Sequence, residues 1–242
     1  MRRIFCLIVL LLTGYASGDE LNPQSFSDYR GRGFHRKQKG DWDGAIADFT
    51  KVIELAPSDD AYSNLARVKD LKGDKAGALA DFTKAIELNP KGIFAYYQRG
   101  CLHYDLHEMT DALEDFRKVS ELQPTDDLAD YAQVRIWLVR LHLGESDAAT
   151  GELSKYLGAR TRGKPDDWPA RILQFLVGQL PEGDFFKAAE NTNAQIDQIQ
   201  HCEAFFYAGA SRLFAGDRVG AKDDFEKSLA TNLTFWTEYS SA

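Results

Sequence analysis

The residues of this chain best suited to chemistry are His103 and His107, four apart in the segment HYDLH. On a helix that spacing presents both imidazoles from one face, as in a pair of histidines holding zinc. No glutamate follows His103 directly and no third ligand is evident. His107 also stands where two related segments carry a glycine at a helix end, so the pair reads as a helix-face histidine followed by a turn residue. The segments LEDFRK and DDFEK set carboxylates beside Phe116 and Phe225. Acids early in a helix or on a solvated face are the simpler reading than a catalytic dyad. His35, His142 and His201 are isolated, and no GxSxG, CxxC or phosphate-binding glycine loop occurs. The expectation is no catalytic residue, no metal and no cofactor.

The elements that hold these residues follow one spacing, repeated four times: an aromatic, four residues to a small residue, seven to Gly or His, five to Ala, four to Phe. The copies are Tyr29, Gly33, Gly40, Ala45, Phe49; Tyr62, Ala66, Gly73, Ala78, Phe82; Tyr96, Gly100, His107, Ala112, Phe116; and Phe205, Gly209, Gly216, Ala221, Phe225. The first three end on Pro57, Pro90 and Pro124, giving repeats of 33 and 34 residues. Offsets of four and seven line up one face of a first helix, helix A. Its central Gly or Ala leaves room for a neighbouring helix. Gly40 and Gly73, each followed by Asp, predict a left-handed helix end and an N-cap. Helix B then carries Ala and Phe inward at i and i+4. Such a hairpin must stack on a neighbour to bury that face, which predicts a solenoid.

This small, small, aromatic, proline frame resembles the tetratricopeptide (TPR) repeat family, and the resemblance implies an all-α, TPR-type helical-hairpin solenoid of about five or six hairpins. Clear repeats span 26–57, 58–90 and 91–124; degenerate hairpins occupy 125–192, and a C-terminal repeat lies in 193–242. In the middle, RIWLVRLHLGESDAATGELSKYLG keeps Gly144 and Ala149 but places Trp137 at the small position and Leu153 at the Phe position. DWPARILQFLVGQL follows as a further helical segment started by Trp168 and Pro169. GARTRGKPDD, from Gly158 to Asp167, is the one long polar loop candidate. The last repeat holds its frame except for the proline, replaced by Leu233.

Arg2 and Arg3 precede a nine-residue apolar run from Ile4 to Leu12, and Ala16, Ser17 and Gly18 follow. This reads as a secretory signal peptide over 1–18, too short to span a membrane, leaving 19–242 as one TPR domain in the periplasm or outside the cell. Cys6 lies near the start of the apolar run rather than after it, so no lipid anchor is expected. The net charge is −8, becoming −10 once 1–18 is removed, which disfavours nucleic acid. Cys101 and Cys202 read as free, buried thiols, although an exported compartment would permit a disulfide.

In TPR arrays the concave face is lined by helix A residues turned away from helix B. Counting one, five and eight residues after each aromatic gives Arg30, Phe34, Lys37, Arg67, Asp70, Tyr97 and Tyr104 among the candidates for binding an extended peptide or an acidic C-terminus. The carboxylate clamp of cytosolic co-chaperone TPR domains is not carried over, since Arg30 and Asn64 match only fragments of it. RIWLVRLHLGESDAA, WPARILQFLVGQL and the ending with Ala230, Thr231, Asn232, Phe235, Trp236, Glu238 and Tyr239 are similar to the C-terminal half of NlpI-type bacterial TPR lipoproteins. That similarity implies a periplasmic, non-catalytic adaptor that forms homodimers and brings peptidoglycan hydrolases together with a processing protease. The expected partners are thus other proteins or peptides, with no small-molecule substrate. An accessory enzyme built on the degenerate hairpins and a substrate-holding chaperone are the alternatives.

Overall fold

The computed structural model describes residues 25–122, 127–160 and 167–231. The expected leader over 1–18, Pro124, the loop centre 161–166, Leu233 and the tail from Asn232 through Tyr239 lie outside the described residues.

Twelve helices and no strands occur among the described residues: α1 Phe26–Gln38, α2 Trp42–Leu55, α3 Asp59–Lys72, α4 Lys75–Leu88, α5 Ile93–Asp105, α6 Met109–Leu122, α7 Asp127–His142, α8 Ser146–Ala159, α9 Trp168–Leu176, α10 Glu182–Ala189, α11 Ala194–Phe214 and α12 Arg218–Ala230. The all-α hairpin repeat anticipated from the spacing is what forms. Two compact units are present, dividing inside α5 between Ala95 and Tyr96.

Local chemistry explains each hairpin. Gly73 ends α3 with φ 91°, and Gly40 and Gly216 take φ 76° and 88° after α1 and α11. Asp41, Asp74 and Asp217 then cap α2, α4 and α12 by accepting the N–H of Gly44, Gly77 and Gly220. His107 adopts φ 60°, the one positive φ outside glycine among the described residues, so it does serve as the turn residue.

In the first unit α1 packs on α2, α2 on α3, and α3 on α4. Ala45, Phe49, Val52, Ala61, Leu65 and Val68 form its core, with Phe34 and Trp42 against it. Phe49 fills the space left by Gly33, where an added Cβ would stand 3.1 Å from the ring.

In the second unit Phe116 lies against Gly100 and Phe225 against Gly209, where a Cβ would come within 2.9 and 3.0 Å. The degenerate stretch has its own logic. α7 is buried on nearly every side, with Val134, Ile136, Trp137, Leu138 and Val139 enclosed together with the polar Asp130, Gln133 and Arg135. α6, α8 and α9 pack on it, and α9 also touches α10 and α11. Arg160, at the near end of the polar loop, is 4% exposed and bonds Asp130 and Asp167 at 3.0 and 2.8 Å. That end of the loop is therefore tied down rather than solvated.

Candidate functional site

Helix pairing in the first unit brings two of the anticipated binding residues together. Lys37, near the end of α1, and Arg67, in the middle of α3, are half-buried close to each other, and neither forms an ion pair with an acid among the described residues. Burial lowers the Lys37 pKa to about 8, with repulsion from Arg67 adding to it, and burial lowers that of Arg67. Both shifts mean that water has been withdrawn from a cation without an anion taking its place. The Arg67 guanidinium stands 5.7 Å from the centre of the Phe94 ring, itself 40% exposed. Phe94 was not among the residues picked from sequence, because it precedes its repeat's leading aromatic by two.

The other five candidates divide. Arg30 is exposed and forms no ion pair among the described residues. Phe34 packs edge-on against Phe49 with ring centres 5.2 Å apart, so it is shared between core and surface. Asp70 accepts from Lys75 Nζ at 2.6 Å. Tyr97 and Tyr104 are corrections to the expectation of an open face, being 4% and 8% exposed in the second unit. Tyr97 packs edge-on against Phe116, with ring centres 5.7 Å apart. Tyr104 stands edge-on to His142, its hydroxyl 3.2 Å from His142 Nδ1, and burial pushes its pKa up to about 12. It borders a cavity of about 300 Å³ also lined by Met109, Leu138, Phe206 and Phe214.

The acids beside the inward Phe residues also require correction. Those in LEDFRK and DDFEK were expected on solvated faces, yet Asp115 and Asp224 are buried, and so are their counterparts Asp48 and Asp81. Each meets a cation from helix A: Arg32 and Arg36 reach Asp48 at 2.6 and 3.0 Å, Lys69 reaches Asp81 at 2.6 Å, Arg99 reaches Asp115 at 2.8 Å and Arg212 reaches Asp224 at 2.8 Å. Where helix A offers Leu65 or Ala208 at the Arg32 position, the residue one turn later supplies the charge. These are ion pairs between helix A and helix B, with one buried acid in each of the four hairpins. Cys101 and Cys202 are buried and are not joined in a disulfide. No helix among the described residues is long and apolar enough to cross a membrane.

Paired helices with a small-residue contact, a glycine turn and an aspartate cap, repeated along the chain, define a helical-repeat protein of the TPR type. Residues 60–91 and 95–126 each match the model of the tetratricopeptide repeat family, so the chain carries repeats of that family at these positions. No curated protein sequence matches the chain. Among solved structures, a tetratricopeptide repeat protein from Parabacteroides merdae is similar at 19% identity and a TM-score of 0.55, covering 90% of this chain and 83% of its own. PilW, a widely conserved type IV pilus biogenesis factor, is similar at 16% identity and a TM-score of 0.53, covering 90% and 98%. MamA is similar at 20% identity and a TM-score of 0.52, covering 86% and 91%. At these identities the likeness is one of fold.

Proposed function

We propose that this chain is an exported, non-catalytic adaptor that holds segments of other proteins, and that Lys37 and Arg67 receive an acidic stretch of the partner. The observation that carries this is the pair of adjacent, half-buried cations with no acidic partner among the described residues, in a chain whose net charge is −8. A carboxylate arriving there relieves the repulsion and replaces the lost hydration of both groups. Phe94 and Phe34 supply the apolar contact that an extended peptide needs alongside its charges. Arg30 adds a solvated cation on the same helix as Lys37.

A ten-residue peptide rich in Asp and Glu, labelled and titrated into the full chain, tests this against its Asn and Gln counterpart. The acidic peptide should bind more tightly, and Lys37→Gln with Arg67→Gln should weaken it by about tenfold or more, as expected for losing charge-assisted bonds. Equal binding of the two peptides, or no effect of the double substitution, would overturn the reading.

Export is supported by the basic, apolar and small-residue order of the first eighteen residues. Fusing residues 1–24 to a reporter active only outside the cytoplasm should give activity, and a silent fusion would contradict it. The similarity of the tail to NlpI-type proteins motivates envelope hydrolases or proteases as partners and a homodimer as the assembly. Affinity capture from envelope extracts and light scattering of the purified chain check these two points.

A further inference from the structure

The four repeats act as controls for one another at the turn between helix A and helix B. Seven residues after the leading aromatic stand Arg36, Lys69, His103 and Arg212. The turn then reads Gly40-Asp41, Gly73-Asp74, His107-Glu108 and Gly216-Asp217, with Gly44, Gly77, Asp111 and Gly220 three residues after the acid. In the first and fourth copies the helix A cation stands 3.5 Å from the capping carboxylate, and in the first, second and fourth the later glycine makes room for that cap. A Cβ there would fall 2.1 Å from Asp41 Oδ2, 2.2 Å from Asp74 Oδ2 and 2.3 Å from Asp217 Oδ2. The same cation also serves the buried carboxylate of helix B: Arg36 for Asp48, Lys69 for Asp81 and Arg212 for Asp224.

The third copy departs at every one of these positions together. Arg99 alone holds Asp115 there, so position 103 is released from the core carboxylate. The cation becomes an imidazole, the spacer glycine becomes a second carboxylate, and the cap becomes the longer Glu108. His103 Nδ1 lies 2.6 Å from Glu108 Oε2, and with Asp111 the three donor atoms all fall within 4.8 Å of one another. The His103 side chain is only 16% exposed, so its ring is held in place. Neither Glu108 nor Asp111 has a lysine or arginine partner among the described residues, whereas Arg36 and Arg212 pair with the caps of the first and fourth turns.

We propose that His103, Glu108 and Asp111 bind one divalent cation of the zinc class, bridging the end of α5 and the start of α6. One imidazole nitrogen and two carboxylate oxygens form a donor set that suits such an ion and leaves a position for water or a partner side chain. Calcium favours six or more oxygens and is poorly served by it. The ion restores the charge that Arg36, Lys69 or Arg212 provides elsewhere, and because its ligands lie on both helices it stabilises that hairpin. His107 takes no part, for its left-handed backbone does the work that glycine does in the other turns.

Calorimetric titration of zinc chloride into the full, untagged, chelator-treated chain tests this. One zinc equivalent should bind, weakened by about tenfold or more in His103→Ala and in Asp111→Gly, on the scale of disrupted metal-site partners. Asp111→Gly restores the residue of the other three repeats, so it is expected to fold. His107→Gly keeps the turn and should leave binding intact. The proposal is overturned if the parent chain takes up no zinc, if His103→Ala and Asp111→Gly bind as the parent does, or if His107→Gly is the change that abolishes uptake.

Discussion

Gly33, Gly100 and Gly209 are residues at which helix A meets helix B closely, because a single methyl group at any of them would press into Phe49, Phe116 or Phe225. Gly100→Leu should therefore overpack the α5–α6 contact and cost about 1–3 kcal/mol, measured as a drop in the denaturant midpoint. From the other side, Phe49→Ala or Phe116→Ala removes a ring that is fully buried and should cost about 3–5 kcal/mol. Lys37 makes a prediction of opposite sign. Its pKa is lowered to about 8 from 10.5, so between these values the unfolded chain holds a proton that the folded one has lost. Stability contributed by this group consequently rises from about pH 8 to 10.5 and is lower below that window. Lys37→Met should be more stable than the parent near neutral pH, with the difference shrinking as pH rises through the window. A constant difference in paired denaturation curves would contradict it. An acidic ligand held as proposed would bind the protonated form, so its affinity should begin to fall above about pH 8.

The helices themselves were legible because their signals are local: offsets of four along one face and glycine before aspartate at the turn. Side-chain environments set by the partner helix were not. Asp48 and Asp115 sit sixteen residues from Arg32 and Arg99, a separation that means nothing until the hairpin closes. Their place on helix B, beside the inward Phe, then looks the same as a solvated acid. Arg99→Ala leaves the buried Asp115 carboxylate without that cation and should cost about 3–5 kcal/mol in chemical denaturation. The position one residue after the aromatic illustrates the same limit. It is exposed as Arg30 but buried as Ser63 and Tyr97, so helix counting alone overstated the open face. His107 was read correctly because turn geometry is local. The grouping of His103 with Glu108 and Asp111 was not, because it joins two helices.

At the scale of the whole molecule, the frame is followed closely in the first unit and in the hairpins of α5–α6 and α11–α12, while α7 to α10 follow a different plan. Trp137, which breaks the small-residue position, belongs to a helix enclosed on all sides rather than to a failed repeat. The chain's net charge of −8 opposes acidic partners at long range, so the proposed binding would depend on the local cations of the first unit. Added salt should weaken binding of an acidic peptide through that short-range pair while also screening the general repulsion. In the function proposed above, one helical face of the first unit grips partner segments through Lys37 and Arg67. Hydrogen exchange of the full chain, with and without the acidic decapeptide, measures this most directly. Protection should appear in fragments covering residues 30–40 and 63–70 and vanish in the Lys37→Gln, Arg67→Gln variant. Protection lying elsewhere, or persisting in that variant, would contradict the claim.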